Sequence, residues 1–432
     1  RILAPQPTMK SFLDKIFFRS NNLNHISVKV RDLTENTPAN KIFDAINNYS
    51  SESEIRYVGG CIRRIIKKEK VDDIDLATNL EPRQVCEALK NSSINFYETG
   101  IEHGTITAVV DKYKFEITSL REDISTDGRH AKVKFSKDWK KDASRRDFTI
   151  NSIYADKDGN LFDPNNGRSD LENGFVNFIG NVDNRIKEDY LRILRYLRFF
   201  INYSKQPHSL EVTKILKKNI GGISILSKER LLDELKKIIK LDTLVKLSKD
   251  RFGFELILMI FPELKNIKIF SRINSNNIDL LSENDFIFLL SLIIVDDTDN
   301  TDYFLYKFNI SKQDQKRIKI IDNFFKEKIN IKKFTEKNMN KVFYYNGRQA
   351  VLDILNYKII KSKKIDKSLR ELCKIYKDKL IPPMPVNANL LMKKYKIQEG
   401  KLLGQKLKMI EDEWVKNNFI ISDQQVDNII DS

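Results

Sequence analysis

The chain has 432 residues, 41% hydrophobic and 31% charged, so it can bury real cores and divide into two to four domains of ~100–200 residues. Its 76 Lys and Arg against 60 Asp and Glu leave a net charge of +16, a surface suited to a polyanion. Three scattered cysteines (Cys61, Cys86, Cys373) make neither a disulfide framework nor a zinc site and suit a reducing compartment, and four histidines without HExxH spacing argue against a zinc hydrolase.

In chain order, residues 1–8 ahead of Met9 are set aside, and no signal-peptide pattern is read there. Residues 9–54 read as a mostly helical lead-in. From 55 to 182 short β-like runs alternate with turns: Ile55 to Val58, Ile74 to Leu76, Gly104 to Val110, Lys114 to Leu120 and Ser152 to Ala155. Most of the glycines lie in this part. From Lys187 the pattern becomes helical almost to the end, with Leu191, Leu194 and Leu197 spaced by three and arginines between them. Ser227 reads as an N-cap with Glu229 in the first turn. Phe286 to Val295, between Asp285 and Asp296, is apolar but far short of the ~20 residues a membrane helix needs. Residues 311–380 hold 20 basic and 8 acidic residues, so most of the positive excess lies in the C-terminal half. Ile381-Pro382-Pro383-Met384-Pro385-Val386 is a stiff break before a last element.

The chemistry-bearing motifs begin with Arg56-Tyr57-Val58-Gly59-Gly60-Cys61-Ile62-Arg63, a strand entering two glycines and then a helix. Glycines there let backbone N–H groups approach a phosphate at a helix N-terminus, although for the pair alone a bare turn is the better explanation. Thirteen residues after Gly60 comes Asp73-Ile74-Asp75; on a strand, i and i+2 share a face, so both carboxylates project together as hard ligands for Mg²⁺. An exposed aspartate-rich turn is the bland alternative. Following the Gly-Gly strand-turn-helix, however, the pair points to nucleotidyl transfer. Glu116, opposite Phe115 and Ile117 on its strand, is the candidate third acid, or else an ordinary solvent-facing residue.

Ser144-Arg145-Arg146-Asp147, read as entering an apolar strand, offers guanidinium donors for a triphosphate and a carboxylate for a ribose hydroxyl; a surface salt-bridge cluster is the alternative. Asp189 and Arg192, read as i and i+3 on one helix, set an acceptor beside a donor. Cytosine and adenine both present an exocyclic amine next to an acceptor ring nitrogen, whereas guanine and uracil present the reverse order. Such a pair would accept C and A only; an intrahelical salt bridge would look the same in sequence. Between the Glu116 and Arg146 segments lie polar residues including Asp127, Gly128 and Arg129, read as a flexible loop.

As a set these motifs resemble the class II CCA-adding tRNA nucleotidyltransferases, within the poly(A) polymerase family. The matching text is Gly59-Gly60-Cys61-Ile62-Arg63, Asp73-Ile74-Asp75-Leu76-Ala77-Thr78, Glu102-His103-Gly104-Thr105-Ile106-Thr107 and Phe115 to Arg121. It continues with Asp127 to Ala131, Arg145 to Asn151, Glu188-Asp189-Tyr190-Leu191-Arg192 and Ser227-Lys228-Glu229-Arg230, over roughly residues 55–240. The resemblance implies an α+β architecture: a polymerase-β-like nucleotidyltransferase head with a mixed five-stranded sheet over 55–182, a neck over 183–245 with a base-recognition helix, a basic helical body over 246–381, and a tRNA-binding tail over 382–432. It implies Mg²⁺-dependent, template-independent addition of C, C and A from CTP and ATP to a tRNA 3′ end, with release of pyrophosphate. Asp73 and Asp75 would bind the metal, with Glu116 assisting. Gly59, Gly60, Arg63, Arg146, Asp147, Asp189, Arg192, Arg195 and Arg198 would bind the nucleotide. The loop at Asp127, Gly128 and Arg129 would govern the switch from C to A.

One departure is Arg64, where many members carry Asp after the motif arginine, which puts a local Arg–Asp pairing in doubt. Rival readings are a bacterial poly(A) polymerase, an enzyme adding only CC or only A, and an inactive RNA-binding module. No membrane association is expected. The expected compartment is the cytoplasm, with a bacterial-type or mitochondrial-like origin.

Overall fold

In the strand Tyr113–Ser119, Phe115, Ile117 and Ser119 are buried while Lys114 and Glu116 are exposed, the period of two that one covered face imposes. The strand Thr105–Val110 beside it repeats the pattern, burying Ile106, Ala108 and Val110. The computed structural model describes residues 25–126, 131–273, 281, 285–327, 334–362 and 366–432, and divides between Ser227 and Lys228 into two compact units.

The strands of the first unit, in chain order, are β1 (Ile55–Val58), β2 (Ile74–Thr78), β3 (Asn95–Gly100), β4 (Thr105–Val110), β5 (Tyr113–Ser119), β6 (Arg121–Thr126), β7 (Ala131–Phe135), β8 (Tyr154–Ala155) and β9 (Leu161–Phe162). The main sheet runs β3-β4-β5-β2-β1-β8-β9. Only β2 and β5 pair in parallel, so the sheet is mixed as expected. Five strands form its body; the two-residue strands β8 and β9 extend its edge, so among the described residues the sheet has seven strands rather than five. Helices Ala39–Asn47 and Pro82–Asn91 pack on each other, the first also against β1 and the second against β3 and β4. Phe43 meets Tyr57 with ring centroids 4.8 Å apart, and both are buried. Each such aromatic contributes roughly 1.5–3 kcal/mol through burial.

One segment here departs from its sequence reading. The polar stretch after Glu116 is not one long loop: β6 and β7 pair as a separate antiparallel ribbon, followed by a helix at Trp139–Arg145. Polar residues suit a two-stranded ribbon outside the main sheet, so its strands lack the apolar alternation that betrays a core strand. Asp127, Gly128 and Arg129 lie outside the described residues.

After Val182 every described element is helical. The first unit ends with helices Val182–Glu188, Arg192–Tyr203 and Leu210–Lys218 and the 3₁₀ segment Ile220–Ile225. In the second unit the apolar run forms the helix Phe286–Ile294, whose residues from Ile287 onward are all buried. It is a core helix. Among the described residues no helix is long and apolar enough to cross a membrane. Arg317 pins this unit, donating to buried Asp353 (2.7 Å) and to Asp285 (2.5 Å), the residue that caps that apolar helix. The last three helices share a small core of Val386, Leu391, Leu403, Ile410 and Val426.

Candidate active site

The parallel register of β2 and β5 sets Asp75 opposite Glu116 and Ile74 opposite Phe115. Because the side chains alternate, Ile74, Leu76, Phe115 and Ile117 go into the core while Asp75 and Glu116 share the other face. Asp73 stands one residue before β2 rather than within it, a correction to the strand reading of the pair. Burial and the Glu116 carboxylate raise the pKa of Asp75 above its ordinary value. The Arg146 guanidinium opposes them, Asp73 adds to the rise, and Arg63 again opposes it.

The strand-turn-helix at β1 brings the glycines to this carboxylate. Gly59 has φ +68°, a conformation that side-chain-bearing residues rarely adopt, and it lies at the start of the helix Gly60–Ile66. A Cβ at Gly59 would lie 3.8 Å from Nη1 of Arg146, and one at Gly60 would lie 3.6 Å from Oδ2 of Asp75. The glycine pair thus lies against the cationic and the anionic sides of one site.

Among the described residues no three His, Cys, Asp or Glu side chains close into a metal cage. The donor set nevertheless fits Mg²⁺. That ion takes one or two protein carboxylates and leaves its other positions to water and phosphate. The Asp75 carboxyl, raised by burial and by the neighbouring Glu116 and Asp73 carboxylates, is what a divalent cation would neutralise.

Arg146 does not enter a strand. The helix Trp139–Arg145 ends there, and a 3₁₀ turn follows at Thr149–Asn151. The reason is Asp142, which is buried one helical turn earlier. Its Oδ1 accepts from Arg145 Nε (2.9 Å) and Nη2 (2.7 Å). Its Oδ2 accepts from the Tyr154 hydroxyl (2.6 Å) and from Arg146 Nη2 (3.2 Å). Burial alone would raise the Asp142 carboxyl; Arg146, Arg145 and Tyr154 together bring it down to about 2. The i, i+4 spacing from Asp142 to Arg146 was legible only to a helical reading of this segment.

A second relay crosses the site. Arg63 donates to Asn151 Oδ1, and Asn151 donates to Asp147 Oδ1 (2.9 Å). Arg195 places Nε and Nη2 at 2.7 and 2.6 Å from Asp147 Oδ2. Burial would raise the Asp147 carboxyl, but Arg195 and Asn151 hold it at about 2. Arg63, Arg195 and Arg198 also gather around Phe199, at 4.8, 5.5 and 4.1 Å from its centroid. Arg64, the departure from the family pattern, pairs instead with Asp72 at 3.3 Å on the surface.

Asp189 and Arg192 do not share one helix. Asp189 follows the helix Val182–Glu188 with extended backbone (φ −156°, ψ 105°), and Arg192 opens the helix Arg192–Tyr203. The Asp189 carboxylate accepts from the Leu191 N–H (3.1 Å), a turn contact that competes with helix continuation. Arg192 Nη1 donates to Glu188 Oε2 (2.5 Å) and to the Arg185 carbonyl (2.6 Å). The sequence reading quotes Glu188 and Asn151 within motifs without giving either a role, and does not single out Asp142, Tyr154 or Arg185. The partners that Arg185 finds at Arg145 and Arg146, and Asn151 at Arg63, lie dozens of positions away and carry no periodic signal.

Tyr190, in the same turn, lies against the backbone of Gly222: a Cβ there would sit 2.1 Å from its ring. Gly222→Ala is therefore expected to push this turn out of place, costing about 1–3 kcal/mol of stability and at least about tenfold in nucleotide incorporation. Thermal denaturation and a single-turnover assay on the same variant check it.

Residues 55–177 match the family model described as the Poly A polymerase head domain. The mitochondrial CCA tRNA nucleotidyltransferase 1 of Homo sapiens is 35% identical over 382 residues, covering 85% of this chain and 84% of that one. The chain belongs to the CCA-adding tRNA nucleotidyltransferases. Its fold is similar to that of the Bacillus stearothermophilus CCA-adding enzyme in complex with CTP, with a TM-score of 0.67 at 18% identity over 90% of this chain and 95% of that one. It is likewise similar to the Thermotoga maritima CCA-adding enzyme complexed with tRNA, with a TM-score of 0.58 at 18% identity over 90% and 94%. As a CCA-adding nucleotidyltransferase, the chain carries its carboxylates, its glycine pair and the Asp142 clamp within the family-matched segment, whereas the Glu188–Arg192 turn lies beyond it.

Proposed function

We propose that this nucleotidyltransferase completes tRNA 3′ ends, adding C, C and A from CTP and ATP with release of pyrophosphate. The observation that carries the reading is the in-register pair Asp75 and Glu116 facing Arg146 across the Gly59–Gly60 turn. It supplies an anionic edge for a metal and a cationic edge for a triphosphate within one site. Asp73 and Asp75 would hold Mg²⁺, which would supply charge stabilisation for the attacking 3′-hydroxyl and the departing pyrophosphate. Arg146, held by Asp142, grips phosphate oxygens. Arg63 and Arg195, oriented through Asn151 and Asp147, flank the sugar and phosphates, and Arg198 extends the same cationic row.

Asp189 and Arg192 address the base from the turn between their two helices. They stand three positions apart across that turn, and a carboxylate acting with a guanidinium is what discrimination of C and A from U and G requires. Residues 183–245, which include this turn, serve as neck, 246–381 as body and 382–432 as tail, and the basic stretch 311–380 engages the tRNA backbone through phosphates. Free cysteines, two of them buried, fit a reducing compartment such as the cytoplasm or an organelle matrix.

Incubating the protein with tRNA lacking its 3′ CCA, labelled CTP and ATP, and sequencing the product ends is the direct test. Addition of CCA is expected. A long A tract would assign a poly(A) polymerase, a product ending in CC or gaining only A would assign a partial enzyme, and no incorporation would overturn the reading.

A further inference from the structure

We infer that Arg185 is a positioning residue that couples base selection to the phosphate clamp. This rests on the reading above that Asp189 and Arg192 address the base. Arg185 is buried, in the last turn of the helix Val182–Glu188, and its guanidinium works in two directions. Nη1 donates to Glu188 Oε2, the same oxygen that receives Arg192 Nη1. Nη2 donates to the consecutive carbonyls of Arg145 and Arg146, some forty positions earlier in the chain. One planar fork therefore joins the residue that orients Arg192 to the backbone that carries the triphosphate clamp. The Arg185 carbonyl adds a second hold by accepting from Arg192 Nη1.

The arrangement has a chemical consequence. Glu188 is shared between two guanidiniums, so neither takes the whole carboxylate. Without the Arg185 guanidinium, Arg192 becomes the sole cation on Glu188 and is free to form the bidentate pairing that arginine and carboxylate favour. That pairing turns its donors away from the base. At the same time the two carbonyls at the clamp lose their donor, and the Arg146 backbone is released. Base reading and phosphate grip should then fail together, although Arg185 touches neither group of the nucleotide. A lysine at this position carries the charge but not the fork, and cannot bridge two carbonyls and a carboxylate in one plane.

The test measures kcat/KM for CTP and for UTP on tRNA lacking its 3′ CCA, with Arg185→Ala, Arg185→Lys and Arg192→Ala, alongside the melting temperature of each. Arg192→Ala tests the base-reading turn itself: preserved discrimination against UTP in that variant overturns the reading and this inference with it. If Arg192→Ala loses discrimination, Arg185→Ala is expected to lose it too, by about tenfold or more, with a raised KM for the correct nucleotide. Arg185→Lys is expected to recover melting temperature without recovering discrimination. A folded Arg185→Ala or Arg185→Lys variant that still rejects UTP as the parent does overturns the inference. So does recovery of stability and discrimination together in Arg185→Lys, because a purely structural strut behaves that way.

Discussion

Asp75→Asn is expected to abolish incorporation of both C and A, by at least about a thousandfold, while making the nucleotide-free protein more stable at neutral pH. The loss follows from removing one of the two carboxylates proposed to hold the metal, whose charge stabilisation would contribute several kcal/mol to phosphoryl chemistry. The gain follows from the direction of the pKa shift. Burial, Glu116 and Asp73 raise Asp75 above its unfolded value against the pull of Arg146 and Arg63. A carboxyl whose folded pKa is raised costs stability once pH exceeds its unfolded value of ~3.9, because the unfolded chain ionises it more readily. The melting-temperature advantage of Asp75→Asn should therefore be present at neutral pH and vanish below about pH 4, where both states are protonated. Added MgCl₂ and CTP should raise the melting temperature of the parent and leave that of the variant unmoved. A variant less stable than the parent at pH 7, or one that still turns over in Mg²⁺, would contradict the assignment.

Asp142→Ala is expected to be the most destabilising single change in the first unit. It leaves Arg145 and Arg146 without their shared carboxylate and the Tyr154 hydroxyl without its acceptor. Breaking a buried ion pair from one side costs about 3–5 kcal/mol. The pH dependence has the opposite sign to that of Asp75. Asp142 is held at about 2 in the folded state, so its stabilisation of about 2–3 kcal/mol is complete above pH ~4 and is lost as pH falls through 2. Chemical denaturation of parent and variant between pH 7 and pH 2 should show the difference narrowing as pH falls through this window. Asp142→Asn preserves the shape and separates the two effects. It should fold, yet bind CTP more weakly, because a neutral amide cannot fix the Arg146 guanidinium that faces the glycine turn. Unaltered CTP binding in a folded Asp142→Asn variant would remove Asp142 from the triphosphate clamp.

Sequence alone determined the parts of this protein that rest on periodicity and on local geometry. Alternation placed Glu116 opposite Phe115 and Ile117, and two glycines after an apolar run marked the strand-to-helix turn at Gly59 and Gly60. Leucines spaced by three announced the helix that carries Arg192, Arg195 and Arg198. These signals survive in sequence because each is set by residues within one or two turns of one another. Only the tertiary structure decided which carboxylates face each other, because the parallel pairing of β2 with β5 joins Asp75 to Glu116 across forty-one positions. Only the fold showed that Arg146 sits at a helix end on buried Asp142, and that Asp189 stands in a turn rather than on the arginine helix. Both misreadings share one physical cause. At a helix terminus a polar side chain competes with the backbone for hydrogen bonds, and the winner is chosen by groups folded in from elsewhere. Arg185 is the extreme case: a lone arginine in sequence, whose partners at Arg145 and Arg146 exist only once the chain has closed on itself.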